Sequence, residues 1–233
     1  MSSEEIILKT VGLEKIYAEG TPSAVHALKG IDLEIKKGEM VAIMGPSGCG
    51  KTTLLNLLGG IDTPTSGSIF IGGRDISTLS DREMTEFRLY NIGYIFQLFN
   101  LFDFLTALEN TMLPLLLTGV SKFEAEEEAK MMLRQMGMGD KINHLPSELS
   151  GGEQQRVAIS RALLMNPKII LGDEPTGDLD KSTATDIMNL FVSINENFEQ
   201  TFVMVTHSEY IASFCHRIIR IQDGQIVGEE TLR

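Results

Sequence analysis

A glycine-rich stretch of the sequence has the residue types and spacing of a phosphate-binding loop. Residues 45–52 (GPSGCGKT) fit the pattern G-x-x-x-x-G-K-[ST]. They follow a wholly apolar run, residues 40–44 (MVAIM), and precede a segment that reads as a helix, residues 52–58. Backbone N–H groups of such a loop surround phosphate oxygens, and the helix N-terminus adds positive potential. Lys51 is then expected to reach the β and γ phosphates of a nucleotide, and the Thr52 hydroxyl to ligate Mg²⁺.

The whole loop is predicted to contact the nucleotide. Cys49 has two interpretations: a small side chain that fits the loop, or a thiol whose pKa the nearby helix N-terminus lowers. On the second interpretation, alkylation of Cys49 blocks nucleotide binding. The predicted contacts are Gly45, Pro46, Ser47, Gly48, Cys49, Gly50, Lys51, Thr52 and Thr53.

Two adjacent carboxylates end a second apolar run. Residues 169–174 read IILGDE, so Asp173 and Glu174 follow a strand that is predicted to be buried. The carboxyl edge of an open α/β sheet is where ligands bind. Asp173 is therefore expected to hold Mg²⁺, and Glu174 to polarise the attacking water as a general base. The alternative is an acidic pair that only caps a helix.

A third motif, residues 149–153 (LSGGE), predicts the start of a helix. Ser150 and Glu153 have the spacing of a capping box. Cap chemistry does not explain two consecutive glycines, which are unfavourable in a first helical turn. Free N–H groups beside the Ser150 hydroxyl would also bind an anion, and both interpretations can hold together.

These motifs lie within an alternation of strand and helix patterns. Residues 6–17 and 31–35 alternate apolar and polar side chains, as in an antiparallel sheet. The stretch from about 98 to 165 reads as helical, with a capping box at Ser121 and an end at Gly137. The pattern predicts an α/β fold with an initial antiparallel sheet and a helical insert. Further elements are predicted at 69–71, 92–96, 187–194, 202–205, 218–221 and 225–227.

Composition narrows the function classes. A net charge of -12 over 233 residues disfavours binding to nucleic acid or directly to anionic lipid. Two cysteines, Cys49 and Cys215, are too few for a disulfide framework, which fits a reducing cytoplasm. The beginning of the sequence lacks a secretion signal, and no apolar stretch approaches the roughly 20 residues of a membrane-spanning helix.

Taken in this order, the three motifs resemble those of the ATP-binding-cassette (ABC) ATPase family, whose signature is LSGGQ. The resemblance covers essentially the whole chain. It implies a P-loop NTPase (RecA-like) core with an N-terminal antiparallel β subdomain and an inserted α-helical subdomain. Residues 1–233 would then form one ABC ATPase domain, with the core and β subdomain at 1–97 and 161–233 and the helical signature subdomain at 98–160.

The resemblance also implies roles for single residues. Tyr17 lies where the family has an aromatic residue that stacks on adenine, although a half-buried strand tyrosine is the alternative. Gln97 matches the glutamine that contacts Mg²⁺ and the attacking water, and residues 176–180 match the D-loop that crosses between subunits. His207 matches the switch histidine that contacts the γ phosphate.

In this family the signature serves the ATP held by the other subunit. Ser150 and Gly152 would contact that ATP, so two chains would sandwich two MgATP as a homodimer. Hydrolysis would then depend on dimerisation, with Glu174, His207 and Gln97 as the catalytic residues and Thr52, Gln97 and Asp173 around the metal.

The segment after Gln97 looks like the lipoprotein-release and macrolide-export type of ABC ATPase, which includes a cell-division branch. It implies a cytoplasmic subunit, peripheral on the inner face of the membrane, that docks a transmembrane permease between Gln97 and Asn110. Alternatively, Phe99, Phe102 and Phe104 fill the core of the helical subdomain. The second functional hypothesis is an ATP-gated regulatory module of a cell-division or envelope-remodelling complex that moves no solute.

Overall fold

The computed structural model describes residues 5–233. Most elements belong to two sheets and to the helices that cover them. In chain order they are β1 (Ile6–Tyr17), β2 (Val25–Lys36), β3 (Met40–Met44), α1 (Lys51–Leu58), β4 (Ser66–Ile71), β5 (Arg74–Asp75), α2 (Asp81–Asn91), β6 (Ile92–Ile95), α3 (Ala107–Leu117), α4 (Lys122–Gln135), α5 (Gly151–Leu163), β7 (Ile169–Asp173), α6 (Lys181–Phe198), β8 (Thr201–Val205), α7 (Glu209–Ala212), β9 (Arg217–Gln222) and β10 (Gln225–Thr231).

The larger sheet is mainly parallel. Its strand order is β10-β9-β3-β8-β7-β6, and only the edge strand β10 runs antiparallel to its neighbour. Strands β3 and β8 are buried along their whole length, as expected for a parallel sheet covered on both faces. The smaller sheet, in the order β2-β1-β4-β5, is antiparallel.

The larger sheet separates two hydrophobic cores. Successive side chains of β3 point to opposite faces, so Val41 and Ile43 pack with α1 and the antiparallel sheet. Met40 and Ala42 pack on the other side with residues of α3 to α6. A five-residue apolar strand therefore supplies both cores, which explains why it shows no alternation of apolar and polar residues.

The insert between β6 and β7 contains three helices with capping boxes. Thr106, Ser121 and Ser150 each accept a hydrogen bond from the N–H of a glutamate three residues later. Buried Asn110 fixes the loop before α3, because its amide oxygen accepts from the Phe102 N–H at 2.8 Å and its amide nitrogen donates to the Leu105 carbonyl at 2.9 Å.

The predicted α/β fold, with its antiparallel sheet and helical insert, is confirmed. Strands 6–17 and 40–44 have the predicted bounds, and Gly137 adopts the left-handed conformation after α4. The prediction that 98–165 is helical is wrong outside α3, α4 and α5. Hydrogen bonds of buried Asn110 order the loop before α3, and a short 3-10 turn, Pro146–Glu148, precedes α5. In the stretch 5–233, no helix is long and apolar enough to cross a membrane.

Helix α2 was not expected from the sequence pattern. Its mean hydropathy is low, and it buries only two side chains, Met84 and Phe87. A detectable signal existed, since Ser80 and Glu83 form a full capping box. The alternative interpretation, in which Phe99, Phe102 and Phe104 fill the core of the helical subdomain, is wrong for Phe102 and Phe104, which are 49% and 77% exposed, whereas Phe99 is half-buried.

Candidate active site

The phosphate loop connects β3 to α1 at the carboxyl edge of the parallel sheet. Gly50, at the start of α1, has φ +103°, and an added Cβ there would lie 2.6 Å from the Ala27 carbonyl oxygen. A side chain at this position is therefore excluded by both backbone conformation and space. The free N–H groups of the first turn of α1 face the loop, which gives the site the anion-binding character of a helix N-terminus.

Lys51 is held inside the loop. Its ammonium donates to the carbonyl oxygens of Gly45 at 2.9 Å and Pro46 at 2.8 Å, and the residue is 8% exposed. The Cys49 sulfur lies 3.9 Å from the same ammonium and is also buried. The buried position of Cys49 favours the small-side-chain interpretation, since an alkylating agent must first open the loop.

Asp173 and Thr52 meet beside the loop. The Thr52 hydroxyl donates to the Asp173 carboxylate at 3.4 Å. Burial, followed by the charge of Glu174, raises the pKa of Asp173 above its ordinary value. A carboxylate in this setting is stabilised by a nearby cation, so the hydroxyl and carboxylate together suit a hard divalent metal.

Glu174 follows β7 with an unusual backbone. Its φ is +45°, and its N–H donates to the Val205 carbonyl at 3.0 Å. The left-handed conformation is costly for a residue with a side chain and is maintained here by the neighbouring strand β8. The Glu174 carboxylate lies 2.9 Å from Nδ1 of His207, which follows β8.

Gln97 joins the same group of side chains through the segment after Glu174. Its amide nitrogen donates to the Asp178 carboxylate at 3.1 Å. An added Cβ at Gly177 would lie 3.3 Å from both the Gln97 amide nitrogen and the Glu174 carboxylate. Gln97, Glu174 and His207 are therefore brought together at one edge of the sheet.

A pocket of about 600 Å³ extends from the phosphate loop to the antiparallel sheet. Tyr17, Lys51, Thr52, Thr53 and Glu174 all line it. Tyr17 is 40% exposed, so its ring is accessible from the pocket that it lines. The pocket links the predicted base-stacking residue to the predicted phosphate contacts.

The signature residues lie outside this pocket. Ser150 and Gly152 begin α5 on the helical insert, and neither lines the pocket around Lys51. The Ser150 hydroxyl is exposed and contacts Glu153 at 3.0 Å, as the capping-box interpretation predicted. A Cβ at Gly152 would lie 2.5 Å from the Thr183 side chain, which accounts for one of the two glycines by packing against α6.

The model of the family described as ABC transporter matches residues 28–177, which is more than half of the chain. The chain belongs to the ABC transporter family. It is 44% identical to the lipoprotein-releasing system ATP-binding protein LolD of Geobacter metallireducens over 223 residues, covering 96% of this chain and 99% of the relative. It is 48% identical over 213 residues to an uncharacterized ABC transporter ATP-binding protein of Methanocaldococcus jannaschii, covering 91% of this chain and 94% of that relative.

A solved structure agrees with this assignment. The dimeric ATP-binding cassette MJ0796 of Methanocaldococcus jannaschii, in a post-hydrolysis state bound to ADP and Pi, superposes with a TM-score of 0.88 at 45% identity. The superposition covers 97% of this chain and 99% of the cassette. The predicted family and fold are thus confirmed, and the chain is an ABC-type ATPase that binds nucleotide.

Two hydrogen bonds near the site, Tyr17–Asp62 and Gln97–Asp178, were not predicted from the sequence. Asp62 lies in the segment after α1, and Asp178 lies within residues 176–180, which match the D-loop. Their contacts to Tyr17 and Gln97 span 45 and 81 residues of sequence. A local sequence pattern cannot predict contacts between residues so far apart in the chain.

Proposed function

We propose that this ABC ATPase hydrolyses MgATP as one half of a homodimeric sandwich and that the cycle drives a membrane permease. The observation that carries the proposal is the separation of two anion-binding surfaces within one chain. The phosphate loop lies at the sheet edge, and the exposed Ser150 begins α5 on the insert. Two chains in opposite orientation would complete two sites, each with Lys51 of one chain and the signature of the other.

Each side chain at the sheet edge has a distinct task in this proposal. Glu174 accepts a proton from the attacking water, which requires its carboxylate to be close to the γ phosphate. Before the two chains close on ATP, His207 contacts the Glu174 carboxylate. When the site closes, its imidazole donates to the γ phosphate. Gln97 orients the water and relays the state of the site to the insert.

Thr52 and Asp173, assisted by Gln97, would hold Mg²⁺. Their oxygen ligands and the raised pKa of Asp173 fit a cation at this position. When bound, Mg²⁺ neutralises charge on the phosphate oxygens and orients them. The adenine base would stack on Tyr17 at the other end of the pocket, so that the triphosphate lies along the loop toward Glu174.

The relatives suggest the kind of partner. One is named a lipoprotein-releasing system ATP-binding protein, and another, from Rhodopirellula baltica, a macrolide export ATP-binding/permease protein, of which this chain covers 33%. In the second protein the name joins cassette and permease. We infer that a separate permease of this type binds the present chain and places it at the inner face of a membrane.

A groove beside the insert suits such a partner. It has a volume of about 880 Å³ and is bordered by α2 and α3, with Tyr90 and Leu117 exposed at its wall. Arg161 also lines the groove and donates to the carbonyls of Phe99 at 2.9 Å and Asn100 at 2.7 Å. The groove is therefore tied to the segment between Gln97 and Asn110, where exposed Phe102 and Phe104 add apolar surface.

The decisive experiment uses Glu174→Gln. Loss of the general base lowers turnover by on the order of 10² to 10⁴, so MgATP stays intact and the sandwich accumulates. Light scattering after size exclusion is expected to give about twice the 25.7 kDa of one chain. The matched control is Glu126→Gln on the surface of α4, which should remain monomeric and active. A Glu174→Gln chain that binds ATP tightly yet stays monomeric at high concentration contradicts the symmetric sandwich.

A further inference from the structure

Three side chains form a connected group at the end of the nucleotide pocket. The Tyr17 hydroxyl donates to one oxygen of the Asp62 carboxylate at 2.8 Å, and the Lys15 ammonium donates to the other at 2.6 Å. The same ammonium lies over the Tyr17 ring, 4.9 Å from its centroid. Lys15 and Asp62 thus hold the ring by its edge and by one face.

The group is more than a surface ion pair. The side chains of Lys15 and Asp62 are only 13% and 27% exposed, and Lys15 also donates to the Thr63 carbonyl at 2.7 Å. Burial opposes ionisation of Asp62, but hydrogen bonds from Lys15, Tyr17 and Thr63 outweigh it and hold the pKa of this carboxyl below its ordinary value. The carboxylate is therefore charged at neutral pH and fixed by three donors.

Asp62 is in turn attached to the helix of the phosphate loop. The backbone N–H groups of Ile61 and Asp62 donate to the carbonyl of Asn56 at 2.9 and 3.3 Å. Asn56 lies on α1, which begins at Lys51. A rigid path of one helix and one short loop therefore connects the phosphate contacts to the Tyr17 ring.

We propose that Lys15 and Asp62 are positioning residues that set the Tyr17 ring as the platform for the purine base of the nucleotide. This inference rests on the proposed function, in which Tyr17 stacks on the base. The hydroxyl bond to Asp62 fixes the orientation of the ring. The Lys15 ammonium lowers the π-electron density of the ring from one face. The other face then stacks more favourably on an electron-rich purine.

The pocket lining includes Tyr17 but not Lys15, as the proposal requires. Tyr17 lines the nucleotide pocket together with Thr53, whereas Lys15 lies outside the pocket lining. Base, ring and ammonium would therefore form a three-layer stack with the ring in the middle. The role is confined to the base, because Lys15 and Asp62 do not line the part of the pocket around Lys51.

The test compares two ligands that share a triphosphate, MgATP and Mg-tripolyphosphate, by titration calorimetry on the full chain. The variants are Tyr17→Phe, Asp62→Asn and Lys15→Met. Each is expected to weaken MgATP binding by about two- to fivefold, the size of one exposed cation–π or hydrogen-bond contribution. Binding of Mg-tripolyphosphate is expected to stay unchanged. Equal loss for both ligands would overturn the proposal, since it would assign the residues to the phosphate loop.

A matched control lies on the same strand. Lys9 also forms a 2.6 Å ion pair, with Glu34, and it does not line the nucleotide pocket. Lys9→Met is expected to bind both ligands like the unmodified chain. If Asp62→Asn fails to fold by circular dichroism, Tyr17→Phe and Lys15→Met still test the same contacts from the other side.

Tyr17→Ala separates this inference from the proposed function. It is expected to weaken MgATP binding by about fivefold or more, because base stacking on an aromatic ring is lost. If Tyr17→Ala binds MgATP normally, the ring is not the base platform and the proposed adenine contact itself fails. If Tyr17→Ala weakens binding while the other three variants do not, the ring acts without Lys15 and Asp62, and only the inference fails.

Discussion

The Glu174 carboxylate and the His207 imidazole lie 2.9 Å apart because their strands are neighbours in the sheet. Asp173 of β7 pairs with Val205 of β8, and each functional side chain follows its strand by one or two residues. Glu174 itself has a left-handed backbone conformation, with φ +45°. In this conformation the His207 imidazole contacts the Glu174 carboxylate. To reach the γ phosphate, His207 must therefore give up its contact with Glu174.

This relationship predicts the effect of His207→Ala. Removing the imidazole leaves Glu174 without its positioning contact and removes a donor to the γ phosphate. Turnover should fall by on the order of 10², whereas MgATP affinity should change by no more than about fivefold, since one hydrogen bond is worth about 1 kcal/mol. Phosphate release under saturating MgATP measures the first quantity and calorimetry the second. Unchanged turnover would remove His207 from the mechanism.

Asp178 offers a second prediction. Its carboxylate accepts a hydrogen bond at 3.1 Å from the amide nitrogen of Gln97. Asp178→Asn keeps an oxygen that accepts this bond, so turnover should stay within about twofold. Asp178→Ala removes the acceptor and should lower turnover about fivefold, with little change in KM. Steady-state kinetics of the two variants measures this difference in turnover. Equal turnover rates would show that the contact does not position Gln97.

The sequence predicted the chemistry better than the contacts that support it. The phosphate loop, the acidic pair and the signature each occupy a few consecutive residues, and the strands before them are uniformly apolar, so local patterns suffice. Helix α2 buries only Met84 and Phe87, which is too little apolar periodicity to detect. The Tyr17–Asp62 and Gln97–Asp178 contacts depend on tertiary packing over long separations. Local propensity carries no information about them.

Asp173→Asn should raise the stability of the nucleotide-free fold while weakening metal binding. Burial and the charge of Glu174 raise the pKa of Asp173 above its unfolded value of 3.8. The folded chain then binds the proton more tightly than the unfolded chain. Stability is lost as the pH rises through this pKa, and the loss persists at neutral pH. A neutral asparagine avoids that loss.

The nucleotide-free Asp173→Asn chain should therefore melt at a higher temperature than the unmodified chain at pH 7. The difference should shrink as the pH approaches 4. Added MgATP should stabilise the variant less than the unmodified chain, because a metal ligand is missing. Differential scanning calorimetry across this pH range measures both effects, with Asp186→Asn on the exposed face of α6 as the control. A lower melting temperature at pH 7 would contradict the electrostatic argument.

Leu117→Glu tests the groove as the permease contact. Leu117 is 76% exposed at the groove wall, so a charged side chain there is solvated and the fold is retained. In a complex, however, the glutamate would be buried against an apolar partner surface at a cost of several kcal/mol. Tagged chain from native membranes, trapped with MgATP and vanadate, should co-purify with a permease, and Leu117→Glu should lose it.

The control for this experiment is Phe198→Glu at the end of α6, where the side chain is 73% exposed and outside the groove. Both variants should keep the basal ATPase rate of the isolated chain, since neither residue lines the nucleotide pocket. Mass spectrometry then identifies the partner. A permease with few helices and a large extracytoplasmic domain supports the export or lipoprotein-release function. A partner from a cell-division complex supports the regulatory alternative. If Leu117→Glu still co-purifies with the permease, the permease binds outside the groove. A glutamate buried in a true contact would weaken binding.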